Sequence, residues 1–393
     1  MSRSKLISER IKAVKTSPSI CINEKSLQLR KMGKDIINLS IGQPDFDIQE
    51  EIKNEGIEAI KNNFSHYVES KGIPELLKVV GKKLNRENAI KANSENNILI
   101  TPGIKQALFY INCCLINPGD EGIILEPYWI TYLDSLKLCG GVPVFVEGKE
   151  ENNFKATIGE IKSKVTPKTK YILFSNPCNP SGAVWRREEL EDIVKIARKH
   201  DIFIISDEIY EYFLYDRLKH VSTASLRGAE KLTITFNGFS KGQAMSGWRV
   251  GYIVANDKII KAATKMQQTI ATCVCSISQK AAVKGYHAKK EIKNIVREYQ
   301  ERRNIFVRGL NGIKGISCKY PEGAFYVFAN ISGLNINGLQ ASSKILDYAS
   351  VSSVPGIVYG EHYSNYVRFS FAAGRDVLKD AVKRMEKLFL GNR

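Results

Sequence analysis

Six short apolar runs, each followed at once by polar, glycine or proline chemistry, limit this chain's fold more than any other feature. Residues 97–100, 122–125, 143–146, 171–175, 202–206 and 232–236 are rich in Ile, Leu, Val and Phe, and helical patterns such as 188–200 lie between several of them. Runs this short and this continuous read as strands buried on both faces, which is how a parallel sheet covered by helices is written. The expectation is an α/β fold with a large three-layer domain around a mostly parallel, doubly wound sheet. Ligands of such sheets bind beyond the carboxyl ends of the strands. The residues that follow each run are therefore the ones to examine for function.

The first run passes into Thr101-Pro102-Gly103-Ile104-Lys105-Gln106-Ala107, a small-residue turn that opens a helical pattern. Free backbone N–H groups and the positive end of a helix dipole suit a phosphate there, although ordinary β–α turns look alike. After 171–175 comes Asn176-Pro177-Cys178-Asn179-Pro180-Ser181-Gly182. Its two Asn-Pro steps keep the residues before proline out of helical geometry and fix where the amides point; a plain surface turn has the same composition. The run 202–206 ends in Asp207-Glu208-Ile209-Tyr210. A carboxylate at a buried strand tip needs a cation or hydrogen-bond donors. A protonated pyridine nitrogen is one candidate cation, and a helix N-cap is the plainer alternative.

The run 232–236 leads to Asn237-Gly238-Phe239-Ser240-Lys241-Gly242 and on to Gly247-Trp248-Arg249-Val250-Gly251. A lysine in a crowded, glycine-rich strand end can lose its solvation and become nucleophilic towards an aldehyde. Arg249 offers a planar donor fork for phosphate. The bland alternative is a solvated loop lysine. Near the end, Tyr366-Val367-Arg368-Phe369-Ser370-Phe371 sets one arginine inside an alternating apolar strand, where it needs an anion from the protein or from a substrate.

A chain of 393 residues exceeds one small domain, and two domains sharing a cleft are expected. After residue 276 the pattern becomes a long, charged helical stretch to 313, then a hairpin-like region around 323–328 with a strand opened by Gly323, then a mixed tail. This predicts an N-terminal segment 1–46 joined to a C-terminal small domain 295–393, with a large domain at 47–294. No apolar run reaches membrane-spanning length and the first ten residues lack an apolar signal core, so the expected location is the cytoplasm. Eight cysteines without metal spacing read as reduced, mostly buried thiols, and no metal site is expected. Lys plus Arg outnumber acidic residues 58 to 41, for a net charge of +17. The basic residues are dispersed and accompany no nucleic-acid-reading motif, so a solvated surface is the expectation.

In their order and spacing these motifs resemble the class-I, fold-type-I pyridoxal-phosphate aminotransferases, nearest the bacterial and plant aspartate aminotransferase subgroup. The resemblance runs from Ser17-Pro18-Ser19 and Ile41-Gly42-Gln43-Pro44-Asp45 to Val367-Arg368. It implies a pyridoxal 5'-phosphate cofactor held as a Schiff base on Lys241, which later shuttles the substrate's Cα proton. It implies that Asp207 pairs with the ring nitrogen, that Tyr210 and Asn179 meet the phenolic oxygen, and that Trp129 stacks on the ring. Gly103, Ile104, Ser240 and Arg249 would surround the phosphate, with Tyr67 reaching that of a neighbouring subunit in a homodimer. Arg368 and the backbone of Gly42 would bind the α-carboxylate of an amino acid, with Trp129 and Asn179 beside it. Lys105 and Ser19 would meet the distal carboxylate of an acidic substrate, favouring aspartate with 2-oxoglutarate as the oxo acid.

The sequence departs from the subgroup at two places. Gly238 stands where many relatives carry a phosphate-binding hydroxyl, and Cys273 stands where aspartate-specific relatives carry Asn or Ser. An aromatic or broad-range aminotransferase, a carbon–sulfur lyase or an amino-acid oxidase on the same scaffold stays open, because fold and cofactor do not decide reaction type. A non-enzymatic regulator would be expected to carry a fused DNA-binding domain, for which the sequence before Ser17 is too short. A nucleic-acid binder would use the +17 charge.

Overall fold

The computed structural model describes residues 7–12, 14, 18–287 and 289–390, with the side chains of residues 18, 19, 289 and 290 outside that description. Twelve strands are found among them: β1 (Ile37–Asn38), β2 (Ile98–Thr101), β3 (Glu121–Leu125), β4 (Val142–Val146), β5 (Thr169–Ser175), β6 (Phe203–Asp207), β7 (Thr233–Gly238), β8 (Gly251–Val254), β9 (Tyr326–Asn330), β10 (Val351–Ser352), β11 (Val354–Pro355) and β12 (Tyr366–Ser370). The six expected runs become β2 to β7, each within two residues of its expected limits.

Seven strands form one sheet in the order β2-β8-β7-β6-β5-β3-β4. Neighbours from β7 to β4 are parallel, whereas β8 is antiparallel to both β7 and β2. Six strands thus point one way, and a single strand that the sequence reading missed points the other. Alternate residues of each strand enter different cores. Leu99, Ile124, Leu173 and Ile205 join one cluster, while Ile98, Ile123, Ile172 and Ile204 join clusters on the opposite face. Both faces are covered, which is why the runs show no polar alternation.

The C-terminal part has a three-stranded antiparallel sheet, β11-β12-β9. The N-terminal segment reaches it through β1, which pairs in parallel with β10. Helix Lys289–Asn311 packs against the final helix, Arg375–Leu390. It is continuous across residue 294, where the sequence reading divided the chain. Two expectations are corrected. The long helical stretch is broken by turns between Ser276–Ala282 and Lys289–Asn311. Residues 323–325 are not strand and form no hairpin: Gly323 bridges Leu214, the next residues turn, and β9 begins at Tyr326 and pairs with the distant β12. The eight thiols are unpaired, but only Cys178 and Cys318 are buried. Among the described residues no helix is long and apolar enough to cross a membrane, and no cluster fit to hold a metal ion is found.

Candidate active site

The carboxyl ends of the parallel strands open on a cavity of about 420 Å3. Ile104, Lys105, Trp129, Asn179, Asp207, Tyr210, Ser240, Lys241, Arg249 and Arg368 all line it, together with Gly42 from the N-terminal segment. Most come from the segments that follow β2, β3, β5, β6 and β7, while Asp207 ends β6 and Arg368 lies within β12. Arg249 is the instructive exception: because β8 runs the other way, the residues before it face the cavity rather than those after it.

Asp207 ends β6 and is 3% exposed. No helix starts there, so the N-cap alternative fails. Its carboxylate accepts from the Tyr132 hydroxyl at 2.7 Å and from the Ile209 N–H at 3.2 Å. Burial outweighs these neutral donors and pushes its pKa up to about 6. The adjacent Glu208 shows the contrast. Burial acts on it in the same direction, but His220, Ser222 and the Thr223 N–H satisfy it and hold it below the usual carboxylate range. Asp207 is thus the carboxylate whose cation the protein does not supply.

Lys241 donates to the Gly42 carbonyl, and its ammonium lies 5.9 Å from the Tyr210 ring centre. Burial, then the charge of Arg368, lowers its pKa to about 8, with Asp207 opposing. An amine so placed is neutral often enough near neutral pH to attack a carbonyl carbon.

On the opposite wall, helix Ile104–Leu115 starts at Gly103 with no side-chain cap, so its first N–H groups are free. Gly103 has φ +82°, and a Cβ there would fall 2.5 Å from the Arg249 guanidinium. Arg249 itself sits in the left-handed region at φ 55° and anchors its fork on the Ser246 and Pro102 carbonyls, at 2.8 and 3.3 Å. A bare helix end beside a fixed guanidinium is a cradle for a phosphate. The structure also accounts for the departure at Gly238. It pairs with Gly251, and a Cβ there would lie 2.6 Å from the Gly251 Cα, so a larger residue has no room without a shift.

Arg368 is 6% exposed and donates to Asn179 Oδ1 at 3.1 Å and to the Ser40 carbonyl. Its Nε has no partner, and among the described residues its hydrogen bonds go to these neutral acceptors and to no carboxylate. A buried guanidinium bonded only to neutral acceptors, facing a cavity, calls for an external anion. Asn179 is held by a loop closed on itself through Cys178 N–H to Ala183 O and Gly182 N–H to Cys178 O, each 2.9 Å. Both Asn-Pro bonds of that loop are cis.

The family model described as aminotransferase class I and II matches residues 34–384. An aspartate aminotransferase of Pyrococcus abyssi is 39% identical over 358 residues, covering 90% of this chain and 92% of that protein. The chain belongs to the class I and II aminotransferases. This aminotransferase is also 38% identical to an aromatic-amino-acid aminotransferase of Thermococcus litoralis, over 90% of the chain and 91% of the relative. Among solved structures it resembles the aspartate aminotransferase of Thermus thermophilus with maleate, with a TM-score of 0.92 and 34% identity, covering 97% and 99% of the two chains.

The cofactor of the family is pyridoxal 5'-phosphate, and the residues here fit it. The uncapped helix end and Arg249 suit its phosphate, the cation-deficient Asp207 its ring nitrogen, and the depressed Lys241 amine its aldehyde. One expected residue is not brought into the cavity: Tyr67 is 85% exposed and does not line it. Ser19 lies in helix Pro18–Lys31, and its side chain is outside the described residues. Sequence reasoning missed Tyr132, Ser40, Tyr326 and Tyr359. The only signals for them are that Tyr132 follows Trp129 by three residues at a helix start and that Tyr326 falls within the region 323–328 expected to contain a strand.

Proposed function

We propose that this enzyme moves the amino group of an acidic amino acid, aspartate first, to 2-oxoglutarate, and that the unpaired, buried Arg368 is the feature that selects amino and oxo acids. When bound, the cofactor supplies a ring that accepts the electrons left at Cα after a proton departs. Asp207 keeps a positive charge on the ring nitrogen, which makes that acceptance favourable. Lys241 would hold the cofactor by its aldehyde carbon, and its amine, when free, would take the Cα proton. Arg368 grips the α-carboxylate with help from Asn179 and the Gly42 backbone, which fixes the Cα–H bond towards Lys241. Trp129 covers the ring face, Tyr210 and Asn179 meet its phenolic oxygen, and Gly103, Ile104, Ser240 and Arg249 hold its phosphate.

Lys105 is the contact proposed for the distal carboxylate. It lines the cavity, its ammonium 5.3 Å from the Trp129 ring centre, and Ser19, the second proposed contact, belongs to helix Pro18–Lys31, whose Ile20 and Asn23 line the same cavity. Lys105→Ala is expected to weaken aspartate binding about tenfold, the size of one charge-assisted hydrogen bond, and to leave alanine unchanged. Equal weakening of both in steady-state kinetics removes Lys105 from this role. A second reading rests on the same rim. Ile20 and Ile41 line the cavity and are 51% and 40% exposed, an apolar wall that would suit aromatic substrates.

The enzyme is proposed to act as a cytoplasmic homodimer. Tyr67, Ile60 and Ile270 are 85%, 60% and 46% exposed, which suits a face covered by a second copy that receives Tyr67 at its phosphate. Residues 295–393, with 1–46, are proposed to move as a small domain against 47–294. The deciding test follows the absorbance of the bound cofactor. Addition of aspartate should convert it to the amine form, and 2-oxoglutarate should restore it. Conversion by tyrosine or phenylalanine but not aspartate would replace the acidic reading with the aromatic one.

A further inference from the structure

Tyr326 opens β9, is 1% exposed, and was given no role by the motifs. In the antiparallel pair of β9 and β12, Arg368 stands opposite Phe328 and Ser370 opposite Tyr326. Tyr326 and Arg368 are therefore diagonal neighbours on one sheet face, within reach of each other's long side chains. The guanidinium centre sits 4.4 Å from the Tyr326 ring centre. At its far end the Tyr326 hydroxyl lies 2.7 Å from the Tyr210 hydroxyl. It also occupies the space a Cβ on Gly42 would need, beside the carbonyl that accepts a hydrogen bond from Lys241. One side chain thus touches the arginine, the tyrosine and the glycine proposed above for three different tasks.

We infer that Tyr326 is a positioning residue with two separable actions: its hydroxyl aims and strengthens Tyr210 as a donor to the cofactor, and its ring face seats Arg368 for the substrate carboxylate. This rests on the aminotransferase reading. Either hydroxyl can donate across this contact, and the hydroxyl action takes Tyr326 as the donor once the cofactor's oxygen engages the Tyr210 proton. Two facing phenols hold two protons, and when Tyr326 donates to the Tyr210 oxygen, the Tyr210 proton is left for the cavity and is made more acidic by the bond. The ring action follows from geometry. A guanidinium attracted to a π face keeps its in-plane N–H groups free, and the Nε of Arg368 is buried without a partner.

Two variants of the full-length holoenzyme separate these actions. Tyr326→Phe removes only the hydroxyl, and Tyr326→Leu removes the ring as well. The pH midpoint of the cofactor's absorbance change should rise by about one unit in both variants, because a weaker Tyr210 donor favours the protonated linkage at Lys241. Binding of the unreactive dicarboxylate maleate should stay within about threefold of wild type in Tyr326→Phe and weaken about tenfold or more in Tyr326→Leu. An unshifted midpoint in Tyr326→Phe overturns the hydroxyl action, and equal maleate affinity in the two variants overturns the ring action. The wild-type enzyme is measured first. If it neither shows a pH-dependent cofactor band nor binds maleate, the aminotransferase reading for acidic substrates fails and takes this inference with it.

Discussion

Lys241→Ala enzyme should turn over its amino acid at least about a thousandfold more slowly than wild type, since both the anchor and the base are removed together. Borohydride treatment should leave the cofactor attached to the wild-type chain and to none of the variant. Mass spectrometry reads that difference directly, without depending on any substrate assignment. The cause lies in the surroundings of the amine. It is lowered to about 8 by burial and by Arg368, so below that pH the free amine is progressively lost to protonation. The other lysine lining the cavity, Lys105, is also lowered by burial and by Arg249, but the residue is exposed. Cofactor retained covalently by the variant would show that another amine does this work.

Arg368→Ala should weaken amino acids and dicarboxylates by about a hundredfold or more while leaving the cofactor's own affinity near wild type. The magnitude is that of truncating one partner of a buried, hydrogen-bonded charge pair, about 2–5 kcal/mol. The selectivity of the effect follows from position. Arg368 bonds to Ser40 and Asn179 and stacks near Tyr326 and Tyr359, whereas the proposed phosphate cradle consists of Gly103, Ile104 and Arg249. Equilibrium titration with maleate, followed through the cofactor's absorbance, is the measurement. Affinity within about threefold of wild type would place the carboxylate elsewhere.

The strands that carry Asp207, Asn179 and Lys241 were legible in the sequence because they are buried on both faces, and double burial leaves an uninterrupted apolar run. β8 was not legible. Its four residues, Gly251–Val254, follow an arginine and a left-handed turn and looked like the tail of the preceding motif. Local pattern also misled at Gly323, whose neighbours alternate like a strand but are turned by the bridge to Leu214. Tyr132 and Tyr326 acquire their roles from partners 75 and 116 residues away, and no local signal encodes such distances. Tyr67 presents the opposite case. Its motif is clear, but in a single chain it is surrounded by solvent.

The reversed strand β8 has one more consequence. Lys241 and Arg249 lie on the connection between two adjacent antiparallel strands, eight positions apart, so their relative placement is fixed by a short loop. The carboxylate clamp is built otherwise: Arg368 reaches Asn179 and Ser40 across 189 and 328 residues of chain. Ordering a short loop costs little entropy, and closing very long ones costs more. The Lys241–Arg249 part of the proposed cofactor site is therefore set locally, although its partners Gly42 and Pro102 are distant in the chain. The proposed carboxylate clamp depends on long-range closure throughout.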